Sequence, residues 1–126
     1  MRVLRPKEVE LMSVFWGTDT PLATAEVREL ATEYSWSESS LGVMITRLVK
    51  FGFLEINGTF QKKHITCNIY RAAISKDKYY GELISESIGQ ASPAFVLGFL
   101  SNLKDNGKIS DDTIDKMQQM LDTWKN

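Results

Sequence analysis

The chain has 126 residues, a formal net charge of −1, and 43% hydrophobic and 25% charged residues. This length suggests one domain or two small ones, and the composition is ordinary for a soluble globular protein. No apolar run approaches the roughly 18 residues of a membrane span, and the start of the chain lacks a signal-peptide core, so we expect a cytoplasmic protein. The single cysteine, Cys67, excludes an internal disulfide.

Apolar residues at helical spacing predict two helices in the first third of the chain. The first runs from Pro6, a residue suited to the first helical position, to Trp16, and Gly17 ends it. Its apolar face contains Val9, Met12, Phe15 and Trp16. The second helix, ATAEVRELATEY, has Thr24 as its predicted N-cap. Its predicted buried stripe contains Val27, Leu30, Ala31 and Tyr34.

The third predicted helix has the clearest start and end signals. Ser37 is a good N-cap, Glu38 favours the positive end of the helix dipole, and Gly52 fits a left-handed C-cap position. The apolar stripe contains Leu41, Met44, Ile45, Leu48 and Val49. The opposite face contains Ser39, Ser40, Val43, Arg47 and Lys50.

A β-hairpin is predicted to follow this helix at once. Phe53 to Ile56 forms a short strand, and Asn57-Gly58 is a strong turn signal. A return strand carries Ile65, Cys67 and Ile69 and ends near Ala73, with Lys62, Lys63 and His64 near its start. The intervening segment is too long for a two-residue loop, so we expect a longer or irregular tip.

Three further helices are predicted in the C-terminal half. They are capped by Ser75, by Ser92 followed by Pro93, and by Ser110. There is no internal repeat or flexible linker, and the change from strand to helix suggests two domains, 1–73 and 74–126.

The order helix, helix, helix, hairpin is typical of a winged helix, which gives a mainly α fold class with a small β wing. Helices 2 and 3 would form a helix-turn-helix whose second helix enters the major groove of DNA. Residues 39–71 contain five basic residues and one acidic residue (5 − 1 = +4), whereas the rest of the chain from Ala72 carries six lysines and eight acidic residues (6 − 8 = −2). The candidate DNA-binding residues are Ser37, Ser39, Ser40, Val43, Arg47, Lys50, Lys62 and Lys63. The alternative is a winged-helix module that binds protein without sequence-specific DNA binding.

The C-terminal helices suggest a homodimer. The fifth helix, AFVLGFLSNL, is apolar nearly all round and therefore needs cover on all sides. A second copy of the chain would supply that cover, unless these helices pack on their own N-terminal domain. The predicted dimer interface contains Phe95, Val96, Phe99, Leu100, Ile114, Met117, Met120, Leu121 and Trp124.

The sequence gives no support for a catalytic or metal-binding site. There is one histidine, His64, and no glycine-rich phosphate loop or nucleophile elbow. His64 and Cys67 are three residues apart, and such residues of a strand point to opposite faces, so they would not bind one metal ion together. We therefore expect no enzyme, no metal and no cofactor.

The order of these elements and several motifs resemble the penicillinase and methicillin-resistance repressors and their copper-responsive relatives. The likeness includes EVELMSVFWG, TAEVRELATEYSWSESSLGVMITRLVKFGFL, Tyr70, the helix start at Ser75, the apolar VLGFL and the closing helix. The resemblance implies a dimeric bacterial repressor that binds a palindromic operator. It places Ser39, Ser40, Val43 and Arg47 where family members contact the operator.

Four departures from that family pattern bear on function. Ser39 and Val43 replace what are often a lysine and a threonine, which predicts an altered operator. The wing is longer by several residues. The paired Cys-x-Cys motifs of the copper-responsive members are missing, and Gly98-Phe99 stands in place of the Asn-Phe bond at which penicillinase-type members are cleaved. The resemblance thus leaves an inactivating protease or an unknown effector as possible partners, without supporting a copper sensor.

Overall fold

The computed structural model describes residues 2–126 and has the predicted fold class: six α-helices and one two-stranded antiparallel hairpin in that part of the chain. The elements are α1 (Pro6–Trp16), α2 (Thr24–Leu30), a 3-10 turn (Thr32–Tyr34), α3 (Glu38–Lys50), β1 (Leu54–Lys62), β2 (Ile65–Ala72), α4 (Lys76–Ile88), α5 (Pro93–Asp105) and α6 (Asp111–Lys125). They form two compact units, one ending at Ser87 and the other running from Ile88 to Asn126. None of the helices in the described chain is both long enough and apolar enough to cross a membrane.

The hydrophobic core lies entirely in the N-terminal unit. Every buried hydrophobic residue that the structure describes falls between Leu4 and Tyr79. The largest fully buried side chain is Tyr79 of α4. Most of the others come from α1, α3 and the start of the hairpin, and they include Leu11, Met12, Leu41, Ile45, Leu48 and Leu54. The helical stripe predicted for α3 is confirmed, because its residues are either buried or packed against this core.

The second helix is shorter than predicted, and its N-cap is Ala23 rather than Thr24. The Glu26 carboxylate accepts a hydrogen bond from the Ala23 amide at 2.9 Å, so a capping-box glutamate replaces the expected hydroxyl cap. The helix ends at Leu30, and the buried stripe is reduced to Val27 and Ala31. Leu30 and Tyr34 were predicted to be buried, but both are exposed. Tyr34 lies in the 3-10 turn, which no longer follows the α-helical period, and Leu30 is the last residue of α2.

A glycine ends α3, as predicted. Gly52 has a φ of +84°, its amide donates to the Val49 carbonyl, and the Phe53 amide donates to the Leu48 carbonyl at 2.9 Å. This pair of bonds is a Schellman motif, which satisfies the last carbonyls of the helix and turns the chain sharply. Phe53 is thereby buried at the base of the hairpin, directly after the helix.

The hairpin differs from the prediction in where it turns. β1 continues through Asn57-Gly58 to Lys62, and the turn consists of Lys63 and His64, with φ values of +48° and +67°. Two left-handed residues form the turn that best closes a two-residue hairpin. The expected Asn-Gly turn was wrong because the register pairs Ile56 with Tyr70 and Gly58 with Ile69, which leaves Asn57 as an extra residue in a β-bulge.

Because of the bulge, the β1 side chains beyond Asn57 lie on the face opposite to the one that simple alternation along the strand would give. Beyond it, Phe60 pairs with Cys67, and Lys62 pairs with Ile65, on the face that carries the Glu55–Arg71 ion pair nearer the base. The other face is polar towards the tip, where the Gln61 amide donates to the Thr66 hydroxyl at 2.7 Å. The base of the hairpin is held by Leu22, which forms two backbone hydrogen bonds of 2.8 Å with Tyr70.

The fourth helix is attached to the N-terminal core. The buried Tyr79 hydroxyl accepts a hydrogen bond from the Leu4 amide at 2.9 Å, and the Trp16 indole donates to the Ile74 carbonyl at 2.9 Å. The Tyr79 ring also contacts the rings of Trp16, Phe53 and Tyr80. The compact unit therefore extends beyond the predicted domain limit at residue 73 and takes in almost all of α4.

The C-terminal unit contains two helices whose predicted caps are confirmed. The hydroxyls of Ser92 and Ser110 accept from the amides of Phe95 and Thr113 at 3.1 and 3.2 Å. No residue of α5 or α6 is buried. The exposed large apolar side chains of this unit are Ile88, Phe95, Val96, Leu97, Phe99, Met120, Leu121 and Trp124.

Candidate nucleic-acid interface

The outer face of α3 is smooth, polar at its start and accessible. The Ser37 hydroxyl accepts from the Ser40 amide at 3.1 Å, which fixes the first turn, and Ser39 and Ser40 are themselves exposed. Val43 follows on the same face and is 59% exposed. Short side chains allow the backbone of a helix to come close to another surface, so this face is suited to insertion into a groove of DNA.

Two basic residues lie in the last turn of the same helix. Arg47 is half-buried, and among residues 2–126 its guanidinium has no hydrogen-bond or ion-pair partner. Lys50 is exposed, with its ammonium 6.0 Å from the centre of the Phe51 ring. An unpaired guanidinium with its donors free can bind a guanine edge or a phosphate.

An open groove of about 1020 Å³ runs along this face. It is bounded by the start of α1, the turn before α3 and the outer face of α3 itself. The rings of Tyr34 and Trp36 stack at 4.7 Å in the turn and stiffen that wall. Its lining includes five of the predicted DNA-binding residues, Ser37, Ser39, Ser40, Val43 and Arg47.

The start of α1 adds a buried charge that sequence reasoning missed. Glu8 is only 2% exposed, and its carboxylate accepts from the Arg5 amide at 2.8 Å and from the Arg2 guanidinium at 3.1 and 3.2 Å. Burial pushes the pKa of Glu8 upwards, but the Arg5 amide, the Arg2 guanidinium and the charge of Arg47 outweigh it, so the pKa lies below its ordinary value. The three-residue spacing from Arg5 to Glu8 is that of a capping box, which marks the start of the helix but not the burial of Glu8.

The predicted wing lysines lie at the tip of the hairpin. Lys62 is the last residue of β1 and Lys63 is the first residue of the turn, whereas both were expected near the start of the return strand. Both are exposed. His64 also lies in the turn, with Cys67 half-buried on β2, and residues 2–126 contain no group of three His, Cys, Asp or Glu side chains arranged to hold a metal ion.

Comparison with known proteins agrees with this geometry. The family model described as penicillinase repressor matches residues 4–123, which is nearly the whole chain. A penicillinase repressor from Bacillus licheniformis is 23% identical over 119 residues, covering 94% of this chain and 89% of that protein. The match spans the winged helix and both C-terminal helices, so the chain belongs to the penicillinase repressor family and is a DNA-binding transcriptional repressor.

Proposed function

We propose that the protein is a homodimeric repressor that binds a palindromic operator through α3 and the wing. The observation that carries this proposal is the outer face of α3, where small side chains and Arg47 line one open groove and Lys50 lies in the same last turn of the helix. In this arrangement Ser39, Ser40 and Val43 would lie against base edges, and Arg47 would bond a guanine or a phosphate.

Phosphate contacts would fix the position of the protein on DNA. We propose that Ser37, with the first-turn amides of α3, binds one phosphate and that Lys50 binds another. Lys62 and Lys63 project from the hairpin tip, which suits a wing that lies on the phosphate backbone. Ser39 and Val43 set the operator preference, because they occupy the positions at which side chains would reach the bases.

The proposed dimer interface is the apolar surface of α5 and α6. Six of its nine predicted residues are among the large exposed hydrophobics, and the other three, Leu100, Ile114 and Met117, are half-buried. An exposed apolar surface of this kind is typical of an interface between copies of a chain. A two-fold dimer would present two α3 helices to two half-sites of a palindrome.

We propose that the repressor acts in the cytoplasm and is released from DNA by a protease or an effector. Gly98-Phe99 lies within α5, where the backbone is hydrogen-bonded and helical. An extended chain is needed in a protease cleft, and the asparagine that precedes the family's cleaved bond is missing. We therefore do not expect release by the same cleavage at this bond.

The test is selection of duplexes from a random DNA pool, followed by binding measurements with the selected duplex and with random DNA. Arg47→Ala should weaken binding to the selected duplex by about 1–3 kcal/mol if Arg47 reads a base. Lys50→Ala should weaken binding to both duplexes equally, because a phosphate contact carries no sequence information.

Lys108→Ala is the matched control, since it removes one exposed charge in the loop between α5 and α6. It should leave both affinities unchanged. Charge reversal by Arg47→Glu with Lys50→Glu should abolish DNA binding and leave the oligomeric state intact. A wild-type protein that selects no sequence from the pool would contradict the proposal and favour the protein-binding alternative.

A further inference from the structure

A cluster of charges joins the start of α1 to the end of α3. Arg2 donates to both oxygens of the buried Glu8 carboxylate, and its guanidinium carbon lies 4.4 Å from the centre of the Phe51 ring. Phe51 is the C-cap of α3, directly after Lys50. Arg2 therefore links Glu8 of α1 to the basic end of the helix that faces the groove.

Glu8 is the only charged residue that is buried among residues 2–126. A buried carboxylate is costly unless it is paired, and this one has three donors. Arg2 pairs with this carboxylate and lies over the Phe51 ring. Arg47 lines the groove with Glu8, and the Lys50 ammonium lies 6.0 Å from the centre of the Phe51 ring. Arg47 shares the groove wall with Glu8 and has no bonded partner in the described chain, and its positive charge interacts with the Glu8 carboxylate through space.

We infer that Glu8 is a positioning residue for DNA recognition, holding the cationic end of α3 in place through Arg2 and Phe51 and by attraction of Arg47. The inference rests on the proposed function of α3. A carboxylate on a DNA-binding face opposes non-specific binding, because it repels phosphates. We therefore expect Glu8 to affect how well the protein distinguishes between DNA sequences, and not to raise its total affinity for DNA.

The chain contains a matched control for this role. Glu26 caps α2 as Glu8 caps α1, accepting the N-cap amide at 2.9 Å where Glu8 accepts it at 2.8 Å. Glu26 is exposed and no arginine is paired with it in the structure described for residues 2–126. Glutamine can also serve in a capping box, so Glu8→Gln and Glu26→Gln each remove one charge and keep the helix cap.

The experiment measures the ratio of affinities for the selected duplex and for random DNA. Glu8→Gln should lower this ratio by roughly tenfold, within the range of one misplaced bidentate base contact. Its affinity for random DNA should stay the same or rise, since a negative charge has been removed. Glu26→Gln should leave the ratio unchanged, and Glu8→Gln should cause no further loss in an Arg47→Ala background.

Arg2→Met provides a second test that does not alter the cap of α1, and it should also lower the ratio. Melting temperatures of all variants distinguish loss of positioning from loss of folding. The inference is overturned if Glu8→Gln and Arg2→Met keep the ratio, or if Glu8→Gln and Glu26→Gln lower it equally. A wild type without sequence preference would instead refute the proposed function itself.

Discussion

The two compact units bury their apolar residues in different ways. In the N-terminal unit, residues such as Leu11, Leu41 and Leu48 are fully buried within one chain. In the C-terminal unit, residues of the same type remain exposed, including Phe95, Leu97 and Trp124, the last at 69%. Apolar side chains thus form a closed core in one unit and an exposed surface in the other. The N-terminal unit has a buried core of its own, whereas no residue of α5 or α6 is buried.

The strongest test of this difference between the two units is to place a charge on the apolar surface of α5 and α6. Phe99, whose ring stacks on Phe95 at 5.9 Å, is 38% exposed. Phe99→Asp should raise the dimer dissociation constant roughly 30-fold or more, the effect of losing an interface hot spot of about 2 kcal/mol. Operator affinity should fall with it, because two half-sites are no longer bound together.

Sedimentation equilibrium measures the mass, and Ser101→Asp on the same helix is the control, because it adds the charge at an exposed polar position. A Phe99→Asp protein that remains dimeric at micromolar concentration would place the interface elsewhere.

A pair of leucine truncations compares burial in the two units directly. Leu11→Ala removes a fully buried side chain and should cost about 3 kcal/mol of unfolding free energy, because it leaves a cavity. Leu97→Ala removes a side chain that is 66% exposed and should cost no more than about 0.5 kcal/mol. Urea denaturation at one fixed protein concentration measures both values. Equal costs would mean that the C-terminal helices are packed as tightly as the core.

The buried carboxylate of Glu8 predicts that the stability of the fold depends on pH. The folded pKa of Glu8 lies below its ordinary value of 4.5, so ionised Glu8 stabilises the fold above pH 4.5. That contribution is lost as the pH falls through the folded pKa. The melting temperature of the wild type should therefore exceed that of Glu8→Gln at pH 7, and the difference should shrink in acid. Circular dichroism melts at several pH values measure it, and a difference independent of pH would exclude this linkage.

The smallest expected effect concerns the hairpin tip of the N-terminal unit. His64 adopts a φ of +67°, which glycine adopts without strain. His64→Gly should stabilise the protein by roughly 0.5–1 kcal/mol, because relief of about 1–2 kcal/mol of left-handed strain exceeds the greater backbone entropy that glycine loses on folding. Thr59→Gly, in the middle of β1, should destabilise by a similar amount and is the control. Chemical denaturation gives both values, and a loss of stability in His64→Gly would argue against the turn geometry.

The best predicted parts of the fold are those set by local signals. Ser37 and Gly52 mark the ends of α3, and both perform the expected capping roles. The prediction failed at Asn57-Gly58, where a local turn signal was overridden by the pairing of β1 with the full length of β2. Strand register depends on distant residues, so the position of this turn was not readable from the neighbouring sequence.

The candidate site was predicted in part for a related reason. The exposed face of α3 follows from helical periodicity, which places Ser39, Ser40 and Val43 together. The contribution of Glu8 was missed because its burial depends on Arg2 and on the fold of α1 against α3. Tyr34 was misplaced for the opposite reason, because the predicted α-helical period was extended beyond Leu30, where α2 ends. Local sequence patterns therefore predict the exposed face of α3, but they do not predict the Glu8–Arg2 ion pair next to it.

The bulge at Asn57 also sets a rule for changes in the length of the wing. Asn57 has no partner on β2, so removing that one residue would delete the bulge and leave Phe60 opposite Cys67 on the same face. The other pairs between the bulge and the tip would also be unchanged, because only the unpaired residue has been lost. Relatives whose wings differ in length should therefore gain or lose residues in pairs, one in each strand. Where the difference is an odd number of residues, we expect a bulge to be gained or lost.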